Sequence, residues 1–214
     1  MENQQLLLNA RSNVRSSSNP WWKLGVNQEL IRLVENGRIK PCRAVELGCG
    51  SGKNLVFLAK YGFDMTGIEK TPVAIELGHK RLKMAGVAAT LLQDDIADLK
   101  NVQDVFDLLV DMGQMHDLTE KDRDGYVDSI LPLTRPGSQF LLYCYEWQLY
   151  WWERLVIRLM SHFGYGGLTF EPGEVERRFG PYFKIATVAC ERDNSKYPRG
   201  YAVYLMTRKS SVIA

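Results

Sequence analysis

The stretch AVELGCGSGKNLVFLAKYGFDMTGIE, Ala44 to Glu69, constrains this chain more than any other. Gly48, Gly50 and Gly52 follow a short apolar run and precede residues of helical spacing. Glycines there let the backbone turn sharply and approach a ligand that a Cβ would hold off. Strand, glycine turn, helix and second strand make a βαβ unit, which calls for a parallel sheet covered on both faces. The rest of the chain agrees: RAVEL, DMTGI, ATLLQ, VFDLLV, QFLLYCY, FKIATVA and AVYLMT read as strands, with helical segments separating the first five. The last two follow each other without a helix and predict an antiparallel end to the sheet. A helix is expected from Asn27, where Leu30, Ile31, Leu33 and Val34 have helical spacing and Gly37 marks a stop. In the helix after the second strand, Thr71 is the expected cap, Pro72 suits the first position and Gly86 the end.

A chain of 214 residues fits one domain that can bury a core without disulfides or metal. Residues 1–20 are rich in Asn, Gln, Ser and Arg, bury too little apolar surface to offset ordering, and read as a flexible arm; residues 21–214 read as one domain. The 27 basic and 25 acidic side chains leave a net charge of +2, which gives no support to nonspecific nucleic-acid binding. Cys42, Cys49, Cys144 and Cys190 form no Cys-x-x-Cys pair, which argues against zinc and against a disulfide framework. The expected setting is the cytoplasm. No apolar run approaches the roughly 18 residues that suggest a membrane span, so a soluble protein is expected.

The glycines fall as G-x-G-x-G, and Lys53 stands where a dinucleotide fingerprint needs its third glycine. A pyrophosphate wants helix N-terminal amides, whereas a cofactor with an amino-acid tail needs room for its ribose and groups for its carboxylate and ammonium. S-adenosylmethionine fits that description. VELGCGSGKN resembles the first motif of class I S-adenosylmethionine-dependent methyltransferases, and the resemblance runs from Val45 through the fifth strand and more loosely to Arg208. It implies a Rossmann-like α/β fold, a seven-stranded mostly parallel sheet with helices on both faces and an antiparallel final strand. It also implies a cofactor site. Glu46 ends the first strand, and Gly48, Cys49, Gly50, Gly52 and Asn54 belong to the loop and helix start. Glu69 accepts the ribose hydroxyls beside Lys70; Asp94 or Asp95 takes the adenine amino group, with Asp95 favoured by register, and Ile96 lies against the adenine. A nicotinamide oxidoreductase is disfavoured by the glycine spacing and by the lack of a Tyr-x-x-x-Lys pair after the fourth strand. A noncatalytic cofactor-binding partner protein is the other rival.

FDLLVDMGQMHDL, Phe106 to Leu118, resembles the FDLVLDRGxLHHL version of this motif in small-molecule methyltransferases, with Asp111, Gly113 and His116 matching and Asp117 replacing the second His. His116 is the expected general base, with Asp117 or Asp111 raising its basicity; the alternative is a His that only shapes the pocket. Asp111 is expected to orient the loop or the cofactor ammonium. The chain lacks the Asn/Asp-Pro-Pro-Tyr/Phe loop of nucleic-acid amino methylases and the double-Glu loop of arginine methylation, which favours a small acceptor. Oxygen is the favoured acceptor atom because a His base suits a hydroxyl; nitrogen and sulfur stay open, as in thiopurine-, thiol- and quinone-type enzymes. Residues 146–170 carry a predicted helix rich in Trp. Trp147, Trp151 and Trp152, with Trp21 and Trp22, are expected to cover an apolar or aromatic substrate as a lid; core packing, a dimer face and a membrane-surface helix are the alternatives.

Overall fold

The computed structural model describes residues 23, 25–162, 169–196 and 198–210. Trp21 and Trp22, together with the expected arm, lie outside the described residues. In chain order the elements are Gln28–Glu35 (α1), Arg43–Leu47 (β1), Lys53–Lys60 (α2), Asp64–Glu69 (β2), Pro72–Ala85 (α3), Thr90–Gln93 (β3), Leu108–Met112 (β4), Glu120–Ile130 (α4), Gln139–Trp147 (β5), Trp151–His162 (α5), Glu174–Phe179 (α6), Phe183–Arg192 (β6) and Arg199–Arg208 (β7). One seven-stranded sheet runs in the order β3-β2-β1-β4-β5-β7-β6. The first five strands are parallel, and β7 is antiparallel to both β5 and β6.

Side chains alternate across a strand, and the central strands are apolar on both sides. Val45, Leu47, Leu109, Phe140, Leu142 and Cys144 pack beneath α4 and α6, against Tyr126, Ile130, Val175 and Phe179. Ala44, Leu108, Val110 and Leu141 face the other way, toward Leu30 and Leu33 of α1, Leu55 and Phe57 of α2 and Leu82 of α3. Asn27 caps α1 by accepting from the Glu29 N–H at 2.8 Å, and Gly86 ends α3 with φ +64°.

Three local expectations are corrected. No helix joins β3 to β4: the Asp94 carboxylate instead collects the backbone N–H groups of Asp95, Lys100 and Asn101 at 2.7–2.9 Å, closing the connection as a polar loop. The fourth strand begins at Leu108 rather than Val105, because the Phe106 N–H bonds to the Leu133 carbonyl at 2.9 Å before the ladder starts. Thr71 stands before α3 without making a side-chain cap; its N–H donates to Glu69 Oε1 at 2.8 Å.

The excursion that carries α5 leaves and rejoins the sheet at one point. The Trp147 N–H donates to the Phe170 carbonyl at 2.9 Å, and the Phe170 N–H donates to the Tyr145 carbonyl at 2.8 Å. Behind this neck, buried Arg123 of α4 donates to the carbonyls of His116 and Thr169 at 2.6 and 3.0 Å and to Glu174 at 2.9 Å. Glu174 also accepts from Arg178 at 2.8 Å. Removing the shared acid leaves two guanidinium groups without their common partner, and a broken buried pair costs about 3 to 5 kcal/mol. Glu174→Ala is therefore expected to lose about that much stability in urea unfolding, while Glu171→Ala, which removes the exposed pair with Arg154, stays within about 1 kcal/mol of wild type.

Candidate functional site

The carboxyl ends of β1, β2, β4 and β5 converge on one edge, where open α/β sheets bind their ligands. Two neighbouring regions are built there. The first is the glycine loop. Gly48 has φ +71°, a conformation that favours glycine, and a Cβ there would fall 2.2 Å from Gln114 Cγ, so the loop after β1 passes close to the Gln114 side chain of the loop after β4. Gly50 and Gly52 follow, Gly52 standing just before α2. The Cys49 N–H bonds to the Ile68 carbonyl at 2.9 Å, pinning the turn to β2, and its buried thiol is pushed up by desolvation.

Glu69, at the end of β2, has each carboxylate oxygen held by one backbone amide: Oε2 accepts from Gly50 at 3.0 Å and Oε1 from Thr71 at 2.8 Å. Each oxygen keeps a further lone-pair direction, so the carboxylate is oriented yet still able to accept two hydroxyls. Glu46 is buried at the end of β1. Its Oε1 accepts from Asn54 at 2.5 Å, while its Oε2 is buried with no partner. Burial, opposed by the Asn54 hydrogen bond and aided by the nearby Asp111 charge, raises its pKa to about 8. A buried acid with one orphaned oxygen beside a glycine loop fits a cofactor that brings an ammonium group. Lys70 pairs with Asp95 at 2.6 Å, and Ile96 is buried beside them. Of the two acids after β3, Asp94 is committed to its loop, whereas Asp95 is partly exposed.

The second region is a cavity of about 450 Å³ past the ends of β4 and β5. Met112, Gly113, His116 and Asp117 line it from one loop, and Tyr143, Tyr145 and Trp147 from β5. These aromatics stand at i, i+2 and i+4 of one strand, so they share a face. Sequence reading passed over Tyr143 and Tyr145, although the alternation in YCYEW was the available signal. It also missed Arg123 and Glu174, which have no local pattern.

Asp111 organises the loop. Its carboxylate accepts from the N–H groups of Gly113, Gln114 and Met115 at 2.7–3.1 Å and from the Tyr126 hydroxyl at 2.8 Å. Burial raises its pKa to about 6 against the pull of these donors. His116 follows, buried, with its ring centre 5.1 Å from the Tyr145 ring centre in an edge-on arrangement and Nε2 3.5 Å from Asp117. The expected rise in basicity is corrected: desolvation lowers the His116 pKa and outweighs the Asp117 charge, and Arg123 lowers it further. The imidazole is therefore neutral at pH 7, with Nδ1 buried and unpartnered.

The tryptophans separate. Trp147 lines the cavity, whereas Trp151 and Trp152 are 78% and 50% exposed and stand outside its lining. On the polar side of α5, Glu153 is paired with Arg199 and Arg154 with Glu171 at 2.7 Å, and the tryptophans point outward.

Residues 44–137 match the family described as a methyltransferase domain. Over that stretch, 94 of the 214 residues, the chain is similar to methyltransferase domains. A curated relative, the 2-heptyl-1-hydroxyquinolin-4(1H)-one methyltransferase of Mycobacteroides abscessus, is 26% identical over 134 residues, 61% of this chain and 58% of that protein. The chain thus spans little more than half the length of that relative. A structure from the study of the conversion of a disulfide bond into a thioacetal group during echinomycin biosynthesis superposes with a TM-score of 0.66 at 18% identity, covering 96% of this chain and 92% of that one. The [4+2]-cyclase SpnF superposes with 0.64 at 14% identity, over 86% and 81%. Both show the shared fold, and the cyclase shows why reaction has to be argued from the site. No helix among the described residues is long and apolar enough to cross a membrane.

Two measurements probe the region of the glycine loop. Glu69→Ala removes the oriented acceptor and loosens Gly50, so calorimetry is expected to show S-adenosylmethionine binding weakened about tenfold or more. Glu46 keeps in the folded state a proton that the unfolded chain releases near 4.5, so its contribution to stability is present below that pH and is lost as pH rises through about 8. Unfolding free energies measured from pH 5 to 8 should fall more steeply for wild type than for Glu46→Gln.

Proposed function

We propose that this chain methylates a small, flat, apolar or aromatic acceptor in the cavity between His116 and the β5 aromatics, with a hydroxyl oxygen as the acceptor atom. The observation that carries the reading is that a neutral buried imidazole lines a mostly aromatic cavity on the loop that crosses Gly48. When bound, S-adenosylmethionine supplies an electrophilic methyl group on a cationic sulfur. Glu46, Asn54, the glycine loop and Glu69 would hold it, with Asp95 and Ile96 on its adenine side and Lys70 bound to Asp95. The mutagenic candidates for chemistry are His116, as the group that takes the acceptor's proton, and Asp111, as the group that fixes the loop carrying His116.

Orientation of reactants contributes roughly 7 to 11 kcal/mol to such a displacement, and a general base contributes a factor of about 10² to 10⁴. Tyr143, Tyr145 and Trp147 present ring faces and edges that position a planar acceptor and exclude water, and they favour a cationic centre nearby. The Mycobacteroides abscessus relative, named for a hydroxylated quinolinone, supports an aromatic acceptor bearing a hydroxyl. All four cysteines are free, which supports action in the cytoplasm.

The test is a panel of phenols, hydroxyquinolinones, amines and thiols incubated with methyl-labelled cofactor and read by mass spectrometry. Label in the hydroxylated aromatics is the expected outcome; label confined to thiols or amines, or in none, overturns the proposal. His116→Ala is expected to lower kcat by about 10²-fold or more with cofactor affinity unchanged. In wild type the acid limb of kcat/KM should lie below pH 6.5, because activity is lost only as pH falls through the lowered pKa and the base takes up its proton.

A further inference from the structure

Helix α5 presents the reverse of the usual amphipathic arrangement. Trp151, Trp152, Leu155, Val156, Leu159 and Met160 fall within one half of the helix circumference at 3.6 residues per turn, and all six are exposed, Trp151 at 78% and Leu155 at 63%. Globular helices turn such a stripe to the core. Here the other half faces the protein: Glu153 is held by Arg199 of β7 and accepts the Tyr150 N–H at 2.8 Å, and Arg154 is held by Glu171. Turning the apolar half inward would break both ion pairs.

We propose that this face docks on an anionic lipid surface and sets the mouth of the cavity against it. Three observations choose that occupant. A helix of 12 residues is about 18 Å long, and half of one such helix presents far less than the roughly 800 Å² that each partner of a stable dimer buries. A bilayer interface needs no matching shape, and it accepts tryptophan rings at headgroup depth. The charge also fits: Glu153, the only acid of the helix, is paired with Arg199 and Arg154 with Glu171, which leaves exposed Arg158, at the edge of the apolar half, as the uncompensated charge. Trp147, which lines the cavity, lies four residues before Trp151, so a docked helix would place the cavity beside the layer where apolar molecules partition. That last step rests on the proposed acceptor class; the docking itself does not.

The experiment is sedimentation of the full chain with vesicles of phosphatidylcholine alone or containing about one third phosphatidylserine, followed also by tryptophan emission. The expected result is binding to the anionic vesicles that weakens in high salt, with the partition constant lowered at least tenfold in Leu155→Ser/Leu159→Ser. Both changes are at exposed positions, so circular dichroism and S-adenosylmethionine binding should match wild type. Equal sedimentation of the double variant and wild type overturns the proposal. So does a lack of vesicle binding accompanied by a concentration-dependent dimer that the variant abolishes, which would assign the face to a second copy. The vesicle assay contains no acceptor, so failure of methyl transfer leaves its outcome unchanged.

Discussion

A carboxylate buried at the end of a central strand has to find donors for its oxygens, and Asp111 finds four within the next fifteen residues. Three are consecutive backbone amides, so the chain after β4 must wrap around the acid rather than run on as a strand. That wrap puts Gln114 over Gly48 and His116 into the cavity wall. The fourth donor, Tyr126, ties the same acid to α4. One buried charge thereby fixes the position of both the cofactor-side loop and the proposed base.

The opposite face of that loop is held by a second buried polar group. Arg123 takes the His116 carbonyl, the Thr169 carbonyl and Glu174 together, joining the loop to the returning end of the excursion and to α6. Burying such groups is tolerable because nearly all of their donors and acceptors are matched; the cost of an unmatched one is what makes the arrangement specific. The same burial keeps His116 neutral, with Arg123 acting in the same sense.

Strands were legible where apolar runs were continuous, as in RAVEL and QFLLYCY, because a parallel sheet buried on both faces needs no alternation. The glycine loop and Glu69 were legible because close backbone approach leaves glycine as the workable residue and a strand end places the acid. The β3–β4 connection was misread as helical, since nothing in the local pattern reveals that one Asp94 side chain will hold three backbone amides. The basicity of His116 was misjudged for a related reason: its neighbours in sequence are acids, but its neighbours in space are an aromatic wall and an arginine. The outward turn of α5 was not legible, because its polar side meets Arg199 and Glu171, residues too distant in sequence for periodicity to register.

The neck between Trp147 and Phe170 has an evolutionary consequence. Because the chain departs and returns across adjacent hydrogen bonds, everything between them is a closed loop whose length enters stability only through a slowly growing closure entropy. Descendants of such a chain can lengthen, shorten or replace that excursion without shifting the register of β5 against β7, on which the cavity aromatics are mounted. Its surroundings can thus diversify while the cofactor half stays fixed.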